Sequence, residues 1–278
     1  MGLYVIKNDM GNKLFQSLNY NQSHCNGRVK ISPNGAVLET LYTSRPIFNW
    51  GGFESPKSKT HLSAREYGKA NEQSKWRAYK KIRDYAICNE DLFDLFITLT
   101  LDKQVIDRYD ISVVYPKLRA FLSNRVQRDG LAYILVPELH KDGAIHFHGL
   151  INSSAVQLKD SGKKYWKQDS PCQGQRIYNV TDWKFGFTTA VKLSGDYERV
   201  CNYITKYVMK QTDGGMIGGR YYYHGGELKS PHYEYINFTS QPDGEVYELE
   251  DAALTMVYVS DLSKCQYEPA KLLLELSR

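Results

Sequence analysis

Residues 136–150 read VPELHKDGAIHFHGL. Two alternating runs flank Lys141-Asp142-Gly143, the pattern of two strands joined by a tight turn. Side chains at i and i+2 leave a strand on the same face, so His146 and His148 project together while Phe147 enters the opposite layer. A loop with an odd residue count sets Glu138 opposite His146 or His148, and three residues around Asp142-Gly143 satisfy that condition. Two imidazoles and one carboxylate on a shared face, with open positions left over, form a common divalent-metal arrangement. His140 has the same parity as Glu138 and competes with it as third donor.

Outward from this hairpin, helices and strands intersperse. LFDLFITLTLD (92–102) predicts an apolar strand over Phe93–Leu101, of the kind that sits in mid-sheet. VYPKLRAFLSNRVQRDG (114–130) predicts an amphipathic helix with Leu118, Phe121, Leu122 and Val126 on one side and Gly130 past its end. After the hairpin, residues 161–179 read as a polar loop, FGFTTAVKL (185–193) as a strand, and RYYYHGGELKSPHYEYINF (220–238) as further β structure behind a Gly-rich turn. This order predicts an α+β fold, helices packed on an antiparallel sheet. Residues 61–240 form the expected main domain, with a basic helix over Leu62–Cys88. Residues 1–60, with short β-like runs such as AVLETLY (36–42), and residues 241–278 are expected as extensions.

NYITKYVMK (202–210) sets two tyrosines and two lysines at helical spacing behind capping residues Ser194-Gly195-Asp196. At about 100° per residue, Tyr203, Lys206, Tyr207 and Lys210 fall within one arc of about 100°, and Val200, Cys201, Ile204 and Val208 take the neighbouring apolar arc. Packing needs only the apolar arc. Two phenols and two ammonium groups side by side call for a chemical reason.

Charge points to phosphates. From Glu54 to Asp84, nine basic residues face four acidic ones, whereas Gln241–Arg278 holds eight acids and three bases. A basic segment on a chain of net charge +5 hints at a phosphate-rich partner. Lys80, Lys81 and Arg83 on the basic helix, and Lys163, Lys164 and Trp166 in the polar loop, suit backbone tracking and base stacking. The five cysteines show no CxxC pair, the first residues carry no signal-peptide pattern, and no apolar run approaches about 18 residues. A cytoplasmic protein with no membrane partner is expected.

FITLT, HFHGL and the doubled YITKYVMK, in that order, resemble the three motifs of the HUH endonucleases, the rolling-circle replication initiators (Rep proteins) of plasmids, bacteriophages and small single-stranded DNA viruses. ELHKDGAIHFH is similar to a plant-virus Rep segment in which a Glu eight residues before the first His completes the metal site, which favours Glu138 over His140. The paired tyrosines resemble those of the gene A proteins of isometric single-stranded DNA phages, where both are catalytic. The likeness covers roughly Asp91–Lys210. It implies a central antiparallel sheet of about five strands with RRM-like topology.

The resemblance further implies chemistry. A divalent ion, Mg²⁺ or Mn²⁺, sits on His146, His148 and Glu138, and a tyrosine, Tyr207 first and Tyr203 second, attacks a single-stranded origin DNA, with an extruded hairpin the expected form. The products are a 5′-phosphotyrosine link and a free 3′-hydroxyl primer, with Lys206 and Lys210 stabilising charge. No GxxxxGK[ST] occurs in the sequence, so a host helicase and polymerase are the expected partners. A bacterial host cell is the expected setting. Alternatives are an HUH transposase or conjugative relaxase, a non-catalytic nucleic-acid-binding regulator on an RRM-like fold, and a metal-dependent hydrolase that uses water. The regulator would present aromatic residues on the sheet; the hydrolase leaves the tyrosine–lysine face unexplained.

Overall fold

A computed structural model describes residues 15–17, 24–35, 37–48, 72–166, 172–194, 197–210, 216–238, 245–249 and 254–259. The elements begin with β1 (Phe15–Ser17), β2 (His24–Ile31), β3 (Val37–Phe48), α1 (Glu72–Cys88), β4 (Leu95–Thr100) and α2 (Ile111–Asp129). They continue with β5 (Tyr133–Leu139), β6 (Ile145–Ile151), β7 (Leu158–Lys164), β8 (Arg176–Val180), β9 (Thr188–Lys192) and α3 (Tyr197–Met209). Last come β10 (Tyr223–Gly225), β11 (His232–Phe238), β12 (Glu245–Leu249) and β13 (Leu254–Val259).

The fold is α+β, and the chain divides into two compact units. One comprises residues 1–65 and 231–278, the other residues 66–230. The first carries a six-stranded antiparallel sheet in the order β1-β11-β2-β3-β13-β12. Inside it Lys30 is buried, and the Arg28 guanidinium meets Glu39 at 3.4 Å and lies 4.7 Å from the Tyr233 ring.

The second unit carries the expected motifs on a seven-stranded antiparallel sheet, β10-β5-β6-β4-β9-β8-β7. Its inner order β5-β6-β4-β9, with α2 linking β4 to β5, holds the RRM-like part, and β7, β8 and β10 extend it beyond about five strands. Two of these added strands take in much of residues 161–179, which are therefore not simply a loop: β7 and β8 pair into an arm at the sheet edge. Most of β7 is solvent-exposed, so no apolar alternation marks it as a strand. Residues 167–171 lie outside the described set.

Alternation along the inner strands sorts two apolar layers. Leu95, Ile97 and Leu99 of β4, Leu135 of β5 and Phe147 of β6 face α2, whose Val114, Leu118 and Leu122 are buried against them. Asp110 caps α2 by accepting from the Ser112 N–H, and Gly130 ends it at φ 68°, as the Gly past the helix predicts. Phe96, Ile134, Val136 and Leu150 face the other way, toward α1 and α3. The basic helix is described over Glu72–Cys88; residues 62–71 of its expected span, and Gly195-Asp196 before α3, lie outside the described residues. Among the described residues no helix is long and apolar enough to cross a membrane.

Candidate functional site

The turn between β5 and β6 has the expected odd count. His140 N–H donates to the Ala144 carbonyl at 2.8 Å, which leaves Lys141, Asp142 and Gly143 as the loop. Gly143 sits at φ 84°, the left-handed position that a three-residue hairpin needs. Asp142 braces the turn, accepting from Ala144 N–H at 3.1 Å and pairing with Arg108 at 2.7 Å. The resulting register sets Glu138 opposite His146 and Val136 opposite His148. A side chain at Gly149 would run into the Ile134 carbonyl, so a residue without Cβ is needed after the second histidine.

Phe147 is fully buried on the α2 side, and both imidazoles emerge on the α3 side. Each holds its Nδ1 against a threonine of β4: His148 against Thr98 at 3.0 Å and His146 against Thr100 at 3.4 Å. Both pairs follow from the ladder, in which Thr98 faces His148 and Thr100 faces His146. An imidazole tied at Nδ1 directs its Nε2 outward, the way an oriented metal-ligating histidine is held. Sequence reading missed these threonines, although period-two alternation in FITLT already puts them on the face of Phe96. Burial, with His140 and His148 nearby, holds the His146 pKa below its ordinary value, so this ring is neutral at neutral pH.

Glu138 reaches diagonally, and its Oε2 lies 2.9 Å from His148 Nε2. Two cis ligands about 2.1 Å from a six-coordinate ion stand about 3 Å apart, so this pair fits a divalent cation in donor chemistry and spacing. His146 is not drawn into the pair. Its ring stacks on His140 at 5.1 Å, and among the described residues no three His, Cys, Asp or Glu side chains form a metal-sized group. His140 is more than half exposed and binds Asp142 at 3.2 Å.

The helix wall differs from expectation. Val200, Cys201, Ile204 and Val208 are buried, but so are Tyr203 (7% exposed) and Tyr207 (2%), whereas Lys206 and Lys210 are exposed. The four-residue face therefore splits. The tyrosines border the apolar arc, and their rings sink with it onto Phe96, at 5.1 and 6.3 Å. Tyr207 stacks flat on His148, 4.0 Å between centroids and 13° between planes. Its hydroxyl donates to the Tyr203 oxygen at 3.0 Å, and Tyr203 is also bonded to Tyr165 at 3.3 Å. Burial first, and the hydrogen bond to Tyr203 second, push the Tyr207 phenol well above its ordinary pKa. Lys210 bridges the two walls, with Nζ 3.7 Å from Glu138 and 5.5 Å from the Tyr207 ring centre.

The expected DNA-contacting residues lie at differing exposure. Lys163, Lys164 and Trp166 are exposed on or beside β7, Trp166 at 70%. On α1, Lys80 and Lys81 are half-buried, Lys81 over the Tyr85 ring, and Arg83 turns inward toward Glu198 of α3 at 3.9 Å. Arg83 thus stands at a helix–helix contact.

Residues 94–212, from the edge of β4 to just past α3, match the family model for replication-associated protein ORF2/G2P, consistent with a rolling-circle Rep-type protein. No curated protein and no solved structure matches the chain.

Proposed function

We propose that this chain initiates rolling-circle DNA replication by nicking single-stranded origin DNA and rejoining its ends through tyrosine transesterification. The observation that carries the reading is the flat stack of Tyr207 on His148, whose Nε2 meets Glu138. It brings a potential oxygen nucleophile and a metal-type donor pair side by side, within the segment that matches a replication-associated family.

His148 and Glu138, joined by His146, would hold Mg²⁺ or Mn²⁺; bound there, the ion supplies Lewis-acid polarisation of a phosphate. The Tyr207 oxygen bonds to phosphorus as the P–O3′ bond breaks, and the electron pair passes to O3′. The proton that the phenol loses is matched, through water, by one that O3′ gains. Lys210 stands beside both Glu138 and Tyr207 and counters the phosphate charge, with Lys206 one turn earlier on α3. Burial disfavours the phenolate, so attack requires a cation beside the oxygen and a shift of the Tyr207 hydroxyl out of its bond to Tyr203. Retained bond energy in the phosphotyrosine lets Tyr203 take over the strand at a second nick. The 3′-hydroxyl primes a host polymerase, and a host helicase opens the duplex. The regulator alternative is weaker, because Phe96 and its neighbours lie beneath α3 and are not offered to bases.

The test uses a library of single-stranded oligonucleotides labelled at one end, with Mg²⁺ or Mn²⁺ and with chelator. Label at the 3′ end should become covalently attached to the protein, and label at the 5′ end should leave with the released fragment. His148→Ala should give no adduct while melting near the parent. Free 3′-end label with wild-type protein in every metal would refute the proposal.

A further inference from the structure

One edge of the seven-stranded sheet carries a cleft that the proposed nicking chemistry does not use. β10 is the edge strand and pairs with β5, which sets Gly225 opposite Tyr133 and Tyr223 opposite Leu135. Between β10 and α2 lies a cleft of about 320 Å³, at the lower end of the range for ligand sites. It opens on the sheet face turned away from Tyr207 and His148. Tyr115, Arg119 and Leu122 line it from α2, at spacings of four and three residues that share a helix face. Opposite them, Tyr133 lies against the Gly225 backbone, where an added Cβ would stand 2.7 Å from the ring. The rings of Tyr115 and Tyr223 stack at 5.6 Å and 30°, and the Arg220 guanidinium lies 5.9 Å from the Tyr223 ring centre. Tyr115 and Tyr133 are half-buried and keep ring surface open, while Arg119 and Arg220 are exposed. Among the described residues that line the cleft, none is acidic.

Alternation along β10 turns Tyr222 and His224 to the other face, toward α1. There His224 stacks on Tyr85 at 4.8 Å and on Tyr222 at 5.5 Å, with Lys81 4.6 Å from the Tyr85 ring centre. Burial first, then the charges of Lys81 and Arg220, hold the His224 pKa below its ordinary value, so positive charge converges on this edge. The edge thus offers stacked aromatic rings on both faces and three cations, Lys81, Arg119 and Arg220. Open rings interleaved with cations fit an unpaired polynucleotide, whose bases stack and whose phosphates meet positive charge. A duplex keeps its bases stacked on one another and has none to offer. We infer that the cleft between β10 and α2 is a single-stranded DNA site, remote from the nick, that holds the strand beside it. A base lies on Tyr115 or Tyr133, and phosphates meet Arg119 and Arg220. The inference rests on the proposed nicking function for the identity of the polymer and deepens it by naming a second place where the strand is held.

The test uses a thymidine oligonucleotide of about twelve nucleotides, within the usual span of single-strand sites, and a chelator so that nothing is cut. Fluorescence anisotropy across a salt series gives the affinity. Arg119→Gln combined with Arg220→Gln alters two exposed side chains and should melt with the parent. It should lower the slope of log affinity against log salt by about 0.7 for each arginine. With 5-iodouracil in place of thymine, ultraviolet light should crosslink the wild-type protein at Tyr115 or Tyr133, located by peptide mass. The double variant should lose most of that crosslink. A full salt slope in the double variant, or wild-type crosslinks confined to residues outside the cleft, overturns the site. Equal displacement by a duplex of the same length overturns the assignment to unpaired bases. A covalent adduct formed by the wild type with Mg²⁺ or Mn²⁺, without a cleft crosslink, overturns this inference and leaves the nicking function standing. A cleft crosslink with no adduct in any metal overturns the nicking function and supports the site.

Discussion

β6 and α3 bring their chemistry side by side by different routes and at different exposure. His148 on β6 leaves 13% of its side chain open, with its donor nitrogen on Glu138, whereas Tyr207 on α3 is only 2% exposed and hydrogen-bonded into a chain of phenols. Strand alternation gives each side chain one of two directions, so a histidine opposite a buried Phe147 has to leave the apolar layer. A helix has a graded circumference, and a residue at the border of the apolar arc goes in or out according to what it packs against. The strand wall thus presents its groups directly. The helix wall holds its groups in reserve behind aromatic contacts, and the proposed nicking reaction has to release them.

The sharpest break of this contrast is Tyr207→Phe. Removing one hydroxyl from a buried ring should leave the fold near the parent and abolish the first nick. Tyr203→Phe should still nick but fail to join the second strand end. Adduct mapping on an origin-bearing oligonucleotide separates the two, and an initial adduct on Tyr203 with Tyr207→Phe fully active would reverse the assignment.

A change on the strand wall should be smaller and should act through orientation. Thr98→Val removes the partner of His148 Nδ1 at 3.0 Å, and metal affinity measured by calorimetry should fall about tenfold to a hundredfold. Thr100→Val, whose bond to His146 is 3.4 Å, should cost less. Equal losses, or none, would mean that the threonines do not orient the imidazoles.

Buried tyrosines should also make the protein alkali-sensitive. Desolvation raises Tyr207 and pushes Tyr222 and Tyr223 up to about 12. In the unfolded chain tyrosines titrate near pKa 10, so above that pH the native state binds more protons than the unfolded state. Stability should hold below about pH 10 and fall as pH rises toward 12. The decline should be shallower in Tyr207→Phe. A melting temperature flat across that window would contradict the burial of these phenols.

The smallest effect is expected at α1. Replacing Lys80 and Lys81 with Gln should lower the slope of log affinity against log salt by about one per lysine that contacts phosphate. Arg83→Gln should act on stability instead, because its guanidinium faces Glu198. An unchanged slope in the lysine double variant would remove α1 from the DNA surface.

Much of the fold was legible because its signals are local. The three-residue turn around Asp142-Gly143 and the shared face of Glu138, His146 and His148 follow from period-two alternation and hairpin arithmetic. So do the burial of Phe147 and the end of α2 at Gly130. Tertiary structure decided what depends on partners distant in sequence. The β7–β8 arm pairs two polar segments whose stability comes from the ladder rather than from an apolar stripe. Thr98 and Thr100 reach the imidazoles only because β4 pairs with β6. Tyr203 and Tyr207 are buried because Phe96 and the sheet face lie beneath α3, which no helical wheel reveals. Periodicity fixes the direction in which a side chain leaves its own element; what it meets there depends on which elements pack together.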